Sequence, residues 1–176
     1  MRVLHMSSEK GWRGGEQQLA YLLEGLKQRR VTNVLAVKSG SPLQHFSREH
    51  DIPCYPLGFS NSLDLTSAFR INKICKREKI DLIHLHSSKA QGVGGLSTLF
   101  GNRVPMVLSR RVAFLPGSNL FSRWKYNQKQ IKKIVCVSAP SFCVTLSSGM
   151  VACFALIRAR RSARGAEREE NRFSIS

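Results

Sequence analysis

Nearly half of this chain lacks acidic residues. Between positions 82 and 166 there is no aspartate or glutamate, although thirteen lysines and arginines fall there, and the whole 176-residue chain carries a formal net charge of +17. Solubility alone does not require excluding acids over such a length, so the asymmetry points to an anionic partner: nucleic acid, an acidic membrane surface or a phosphorylated ligand. Cysteine is sparse. The five, at 54, 75, 136, 143 and 153, form no CxxC pair and no His/Cys metal spacing. That argues against a zinc site and for reduced cytosolic thiols serving as core filler. No leader is expected ahead of the first apolar strand.

Common nucleotide motifs are missing too. A dinucleotide fingerprint needs GxGxxG after the first strand and an acid ending the second. Here the loop reads GWRGG and the second strand ends at Lys38, which disfavours a nicotinamide dehydrogenase. No GK[ST] completes a P-loop. The GVGG at 92–95 falls within an expected helix and reads as close helix packing. No helix-turn-helix, RRM or zinc motif supports nucleic-acid binding, which stays as an alternative resting on charge alone. The one long uncharged run, Ile134 to Ile157, has the length of a membrane span, but Pro140, Gly149 and several Ser/Thr lower its apolarity.

What is present alternates. RVLHM (2–6), NVLAVK (33–38), PCYPL (53–57), DLIHLH (81–86), PMVLS (105–109) and KIVCVS (133–138) read as strands. Helices are expected from about 16 to 30, 43 to 50, 64 to 79, 88 to 100, and across FSRWKYNQKQ. Leu19, Leu22, Leu23 and Leu26 fall at i, i+3, i+4 and i+7, a single apolar stripe. Asp64 is a candidate N-cap, with Leu65, Ala68, Ile71 and Cys75 on one side of its helix. Strands alternating with helices give an α/β fold with a parallel sheet covered on both faces. Right-handed crossovers bring the loops at 7–15, 86–89 and 110–117 to one edge, where ligands bind. The first strand–loop–helix unit is an anion-binding arrangement, since the loop delivers helix N–H groups and the positive end of the helix dipole to one point.

RVLHM…GGEQQLAYLLEGL, DLIHLHSSKA, PMVLSRRVAF and IVCVS, in that order and spacing over residues 1–146, resemble the N-terminal domain of the family 4 glycosyltransferases. These are retaining GT-B enzymes, frequent in lipopolysaccharide, capsule and exopolysaccharide assembly. The resemblance implies a Rossmann-like parallel sheet forming one half of a GT-B fold. It further implies sugar transfer from a nucleotide-sugar donor, held mainly by a C-terminal half, to a saccharide or lipid-linked acceptor held by this half. No cofactor and no metal is implied.

Carried over by position, Gly14 and Gly15 match the glycine loop that approaches the donor phosphates. Glu16 matches the acid that follows, and equally reads as a first-turn helix acid. His86 and Ser87 end the fourth strand at the cleft edge, with His84 two residues earlier on the same face. Either histidine reads equally as a buried, hydrogen-bonded one. Lys89 opens the next helix as a phosphate contact or a solvated surface lysine. Many members place a histidine after the fifth strand; here Ser109-Arg110-Arg111 stand instead, and the arginine pair suits a phosphate or carboxylate.

A basic, aromatic stretch, with Arg123, Trp124, Lys125, Lys129, Lys132 and Lys133, suits peripheral docking on an anionic inner membrane face; it also reads as an ordinary amphipathic helix whose aromatics, Trp124 among them, are core. Ala139-Pro140 after IVCVS depart from the pattern. From Ser147 the composition changes to an arginine-rich tail (147–176) that reads as an aberrant, disordered appendage to a truncated gene. The E-x7-E motif of the second domain is matched only by Glu16 and Glu24, on the first helix of the wrong half. The chain by itself is therefore expected to be inactive, and a non-catalytic remnant stays as an alternative.

Overall fold

A computed structural model describes residues 1–110, 124 and 127–136, with Arg110 and Cys136 described in backbone alone. Of the expected FSRWKYNQKQ helix only Trp124 and Asn127–Gln130 are described, and the last four are not helical: they form an irregular stretch and a turn that leads into the last strand, with the Ile131 N–H donating to the Gln128 carbonyl at 3.0 Å. The rest of that segment, the loop at 111–117 and the 147–176 tail lie outside the described residues.

The chain order is β1 (Arg2–Ser7), α1 (Gly14–Gln28), β2 (Thr32–Lys38), α2 (Pro42–Glu49), β3 (Cys54–Leu57), α3 (Leu65–Arg77), β4 (Leu82–Leu85), α4 (Ser88–Ser97), a 3₁₀ turn at Thr98–Phe100, β5 (Met106–Arg110) and β6 (Ile131–Cys136). All six strands are parallel, in the order β3-β2-β1-β4-β5-β6. Central strands of such a sheet are buried on both faces, which is why β1 and β2 are buried on consecutive residues rather than alternate ones, with His5 and Asn33 as polar residues inside those runs.

Period-2 alternation still sorts the residues by face. Leu4, Met6, Val34, Ala36, Ile83 and Leu85 join Ala68, Ile71 and Cys75 of α3 and Ala90, Val93 and Leu96 of α4 in the larger core. Leu35 and Val37 point the other way and pack with Leu19 and Leu23 of α1 and Leu43 of α2. Helices thus cover both faces of the sheet.

Asp64 caps α3 as expected. Its carboxylate accepts from the Ser67 N–H at 2.9 Å and the Ser60 N–H at 3.1 Å. Leu65 departs from expectation: at the first helical position it is 54% exposed, and the buried stripe begins at Ser67 and Ala68. In α4 every residue from Ala90 to Ser97 is buried, and the glycines serve contact. A Cβ on Gly92 would lie 2.4 Å from the Ser62 carbonyl oxygen, and one on Gly94 would lie 2.9 Å from a Leu85 methyl.

Candidate functional site at the switch point of the sheet

The strand order reverses direction between β1 and β4, whose register pairs His5 with His84. The chain leaves β1 for α1 on one face and leaves β4 for α4 on the other, so a crevice opens between their C-terminal ends. This is the position at which open α/β sheets bind ligands.

One serine fastens the two sides. The Ser87 hydroxyl accepts from the Ser8 N–H at 3.0 Å and shares a 2.7 Å hydrogen bond with the Ser8 hydroxyl. It also caps α4, accepting from the Ala90 N–H. Two of the loops expected to converge, 7–15 and 86–89, therefore do so.

Gly14 begins α1. A Cβ there would meet nothing within 4 Å, and the backbone is not left-handed, so nothing in the fold requires glycine at this position. The first N–H groups of an α-helix have no carbonyl partner within it. Gly14 and Gly15 carry the first two of these at the amino end of α1, beside the crevice, with no side chain of their own. Glu16 is 2% exposed, and its carboxylate accepts from the Arg13 N–H at 3.2 Å, closing the first turn. The arginine side chain has no acceptor to return, so only this half of a capping box forms.

Beneath the crevice lie three histidines. His5 is fully buried; its Nδ1 is 3.2 Å from His86 Nε2 and its Nε2 is 3.3 Å from Asn33 Oδ1. Asn33 donates through Nδ2 to the Leu23 carbonyl at 2.9 Å, which fixes its oxygen toward His5. The proton of His5 therefore sits on Nε2, and Nδ1 presents a lone pair. Burial pushes the His5 imidazole down to about 3, and His84 adds to the effect. His84 is half-buried, with Nε2 2.7 Å from the Ser109 hydroxyl. One ligand atom from each ring can be chosen so that all lie within 4.8 Å of one another. Spacing along the chain argues against a zinc site; the pairing of β1 with β4 is what brings these three histidines together.

Lys89 is exposed on the first turn of α4, at the mouth of the crevice. Arg110 ends β5 at the same edge, paired in the backbone with Cys136, while Arg111 lies outside the described residues. The expected membrane face divides. Trp124 packs against the larger core beside Gly95, so its indole is not part of an outward docking surface. Lys129, Lys132 and Lys133 are exposed, the last two on the edge strand β6, where lysines also discourage edge-to-edge pairing. Arg123 and Lys125 lie outside the described residues. No helix among the described residues is long and apolar enough to cross a membrane, and most of the 134–157 run falls outside them.

Sequence reasoning missed Ser8, Asn33 and His5. Their sequence signal was only a polar residue in an apolar strand; their partners come from strands 28 and about 80 positions away.

The pattern that defines Glycosyltransferase Family 4 matches residues 12–141. Among solved structures, the chain is similar to Acinetobacter baumannii MurG, with 15% identity, a TM-score of 0.61, and coverage of 84% of this chain and 43% of that one. It is similar to Anabaena HepE, determined in complex with UDP, with 18% identity, a TM-score of 0.60, and coverage of 76% and 37%. A glycosyltransferase from Rickettsia africae gives 20% identity, a TM-score of 0.59, and coverage of 78% and 36%. The chain thus spans less than half the length of each. No curated protein matches it significantly.

Proposed function

The chain belongs to Glycosyltransferase Family 4 and forms one Rossmann-like half of a GT-B fold, and on that premise we propose that it supplies the acceptor side of a retaining hexosyltransferase cleft. The donor is a nucleotide sugar. The acceptor is a saccharide or a lipid-linked saccharide of cell-envelope polysaccharide synthesis. One observation carries this reading: the amino ends of α1 and α4 flank the β1/β4 crevice, fastened together through Ser87, with Gly14 leaving the first N–H groups of α1 unobstructed.

Two helix amino ends and Lys89 suit a phosphoryl group, because backbone N–H groups and the dipole favour negative charge. In such a cleft the charge that develops on the departing nucleoside diphosphate is met by these fixed dipoles, which need no reorganisation during reaction. His86 and Ser87 border the crevice as sugar contacts, Glu16 holds the first turn of α1 in place, and Arg110 and Arg111 extend the basic edge toward an acidic acceptor. The donor's base and sugar are selected by the second domain of the cleft, with residues 147–176 outside the domain described here. The exposed Lys129, Lys132 and Lys133 suit peripheral contact with an anionic membrane, placing the enzyme on the cytoplasmic side.

The test is amide-resolved NMR of the chain titrated with UDP and, separately, inorganic pyrophosphate. Shifts are expected at Gly14, Gly15 and Lys89. Gly14→Ala should weaken them without lowering the thermal midpoint, since a Cβ at this position meets nothing within 4 Å. Unmoved amides at those positions up to millimolar ligand would refute the assignment. Sedimentation with phosphatidylglycerol vesicles, against phosphatidylcholine alone, tests the membrane contact.

A further inference from the structure

The histidine cluster under the crevice is larger than the crevice needs. His86 reaches the edge, but His5 is sealed in the sheet, and His84 faces Ser109 on the next strand. One imidazole from β1, one from β4 and one from the residue just after β4 come together; His5 is bonded to the Asn33 amide oxygen and to His86, and His84 to the Ser109 hydroxyl.

We propose that His5, His84 and His86 form a binding site for a single divalent transition-metal ion, of the Zn²⁺, Ni²⁺ or Co²⁺ class, with a fourth position left to water. The geometry fits the chemistry. Zinc–nitrogen bonds of about 2.0–2.1 Å place two tetrahedral ligand nitrogens roughly 3.3–3.4 Å apart. His5 Nδ1 and His86 Nε2 stand 3.2 Å apart. The lone pair of His5 Nδ1 is turned toward the other rings because its Nε2–H donates to Asn33, whose amide is itself oriented by the Leu23 carbonyl. A metal-bound histidine characteristically donates its other ring N–H to such an oxygen, which fixes tautomer and ring plane.

In the loaded form the cation takes the place of the proton between His5 and His86, and His86 carries its ring proton on Nδ1. His84, the least buried, is the ring that turns to complete the set. Imidazole ligands without thiolate or carboxylate suit zinc, copper, iron and nickel rather than magnesium or calcium. Bound there, the ion would tie β1 to β4 directly beneath the Ser8–Ser87 fastening, and so set the floor of the crevice.

The experiment is Co²⁺ titration of the chelator-treated full chain. One equivalent should give the visible bands of a tetrahedral, nitrogen-ligated ion, and paramagnetically shifted imidazole N–H signals should appear in the proton NMR spectrum. Zn²⁺ should displace the Co²⁺ and raise the thermal midpoint. His84→Ala should weaken Zn²⁺ binding at least tenfold, and His45→Ala, on exposed α2 surface, should leave it unchanged. Three results would each overturn the site: no saturable binding, thiolate-to-cobalt charge transfer that places the ion on cysteines, or unaltered affinity in His84→Ala. Should that variant fail to fold, the shifted imidazole signals of the unmodified chain decide alone: three histidines support the site, and none refutes it.

Discussion

Replacing Gly92 by alanine sets two effects of opposite sign against each other. Gly92 lies inside α4, and alanine in a helix interior is ordinarily worth about 0.5–1 kcal/mol over glycine. Here the new methyl would sit 2.4 Å from the Ser62 carbonyl oxygen, 2.7 Å from Ser62 Cβ and 3.0 Å from Ser62 Cα. Two of those three atoms are backbone, so no side-chain rotation relieves the overlap. The loop cannot easily retreat, because Asp64 holds Ser60 and Ser67 beside it. Nor can the helix, because Ala90 to Ser97 are all buried.

Overpacking in such a setting costs about 1–3 kcal/mol, which exceeds the propensity gain. Gly92→Ala should therefore lower stability by roughly 1–2 kcal/mol net. Gly25→Ala in α1 is the matched control, with nothing within 4 Å of the added carbon. It should raise stability by about 0.5–1 kcal/mol. Urea unfolding followed by circular dichroism measures both. With an m-value of about 1–3 kcal/mol/M, the two midpoints should part by the order of 1 M. A Gly92→Ala chain as stable as the parent would show that Gly92 is not there for contact with the 58–64 loop.

Three further outcomes follow from the hydrogen bonding. Ser87→Ala removes the α4 cap and the acceptor for Ser8 together; a loss of about 1–2 kcal/mol is expected, with faster amide hydrogen exchange at Ser8 and Ala90, and unchanged exchange at Ser8 would show that the serine does not fasten the loop. Asp64→Ala should cost about 1 kcal/mol through loss of the α3 cap. Burial opposes its charge, but the Ser67 and Ser60 donors hold the Asp64 carboxyl below its ordinary value. That stability is present above the unfolded carboxylate pKa and is lost as the pH falls through the lower folded value, so the parent and Asp64→Ala curves should converge in acid. His5 has a folded pKa near 3 against 6.5 unfolded. It has no linkage effect above the unfolded value, but below it the unfolded chain binds an extra proton. Stability should then fall by up to about 1.4 kcal/mol per pH unit. In the metal-free chain, His5→Gln should flatten that slope between about pH 6.5 and 5; an unchanged slope would mean that His5 takes up its proton in the folded state.

The elements themselves were legible because they rest on local causes. The Leu19–Leu26 stripe, the Asp64 cap and the apolar strand runs each depend on residues within a few positions, and each is found where expected, apart from Leu65, which the cap leaves outside the stripe. The GVGG run reads as close packing, and the contacts at Gly92 and Gly94 bear that out. Trp124 was harder to read. An aromatic among basic residues suits a membrane face and a core equally by composition, and only its place against Gly95 decides for the core.

The sequence by itself determined the alternation of strands and helices, hence a parallel sheet with helices on both faces and a ligand edge beyond the strand ends. It also determined the family: the match over residues 12–141 takes in GGEQQLAYLLEGL, DLIHLHSSKA, PMVLSRRVAF and IVCVS. The tertiary structure alone decided what meets at that edge. Strand order is a non-local property: β1 lies between β2 and β4, not beside its sequence neighbours only. That placement turns Ser87 into a fastening for Ser8 and gathers His5, His84 and His86 under the crevice. Side chains some 80 positions apart become partners because hydrogen-bonded strands hold them in register, and spacing along the chain carries no record of that register.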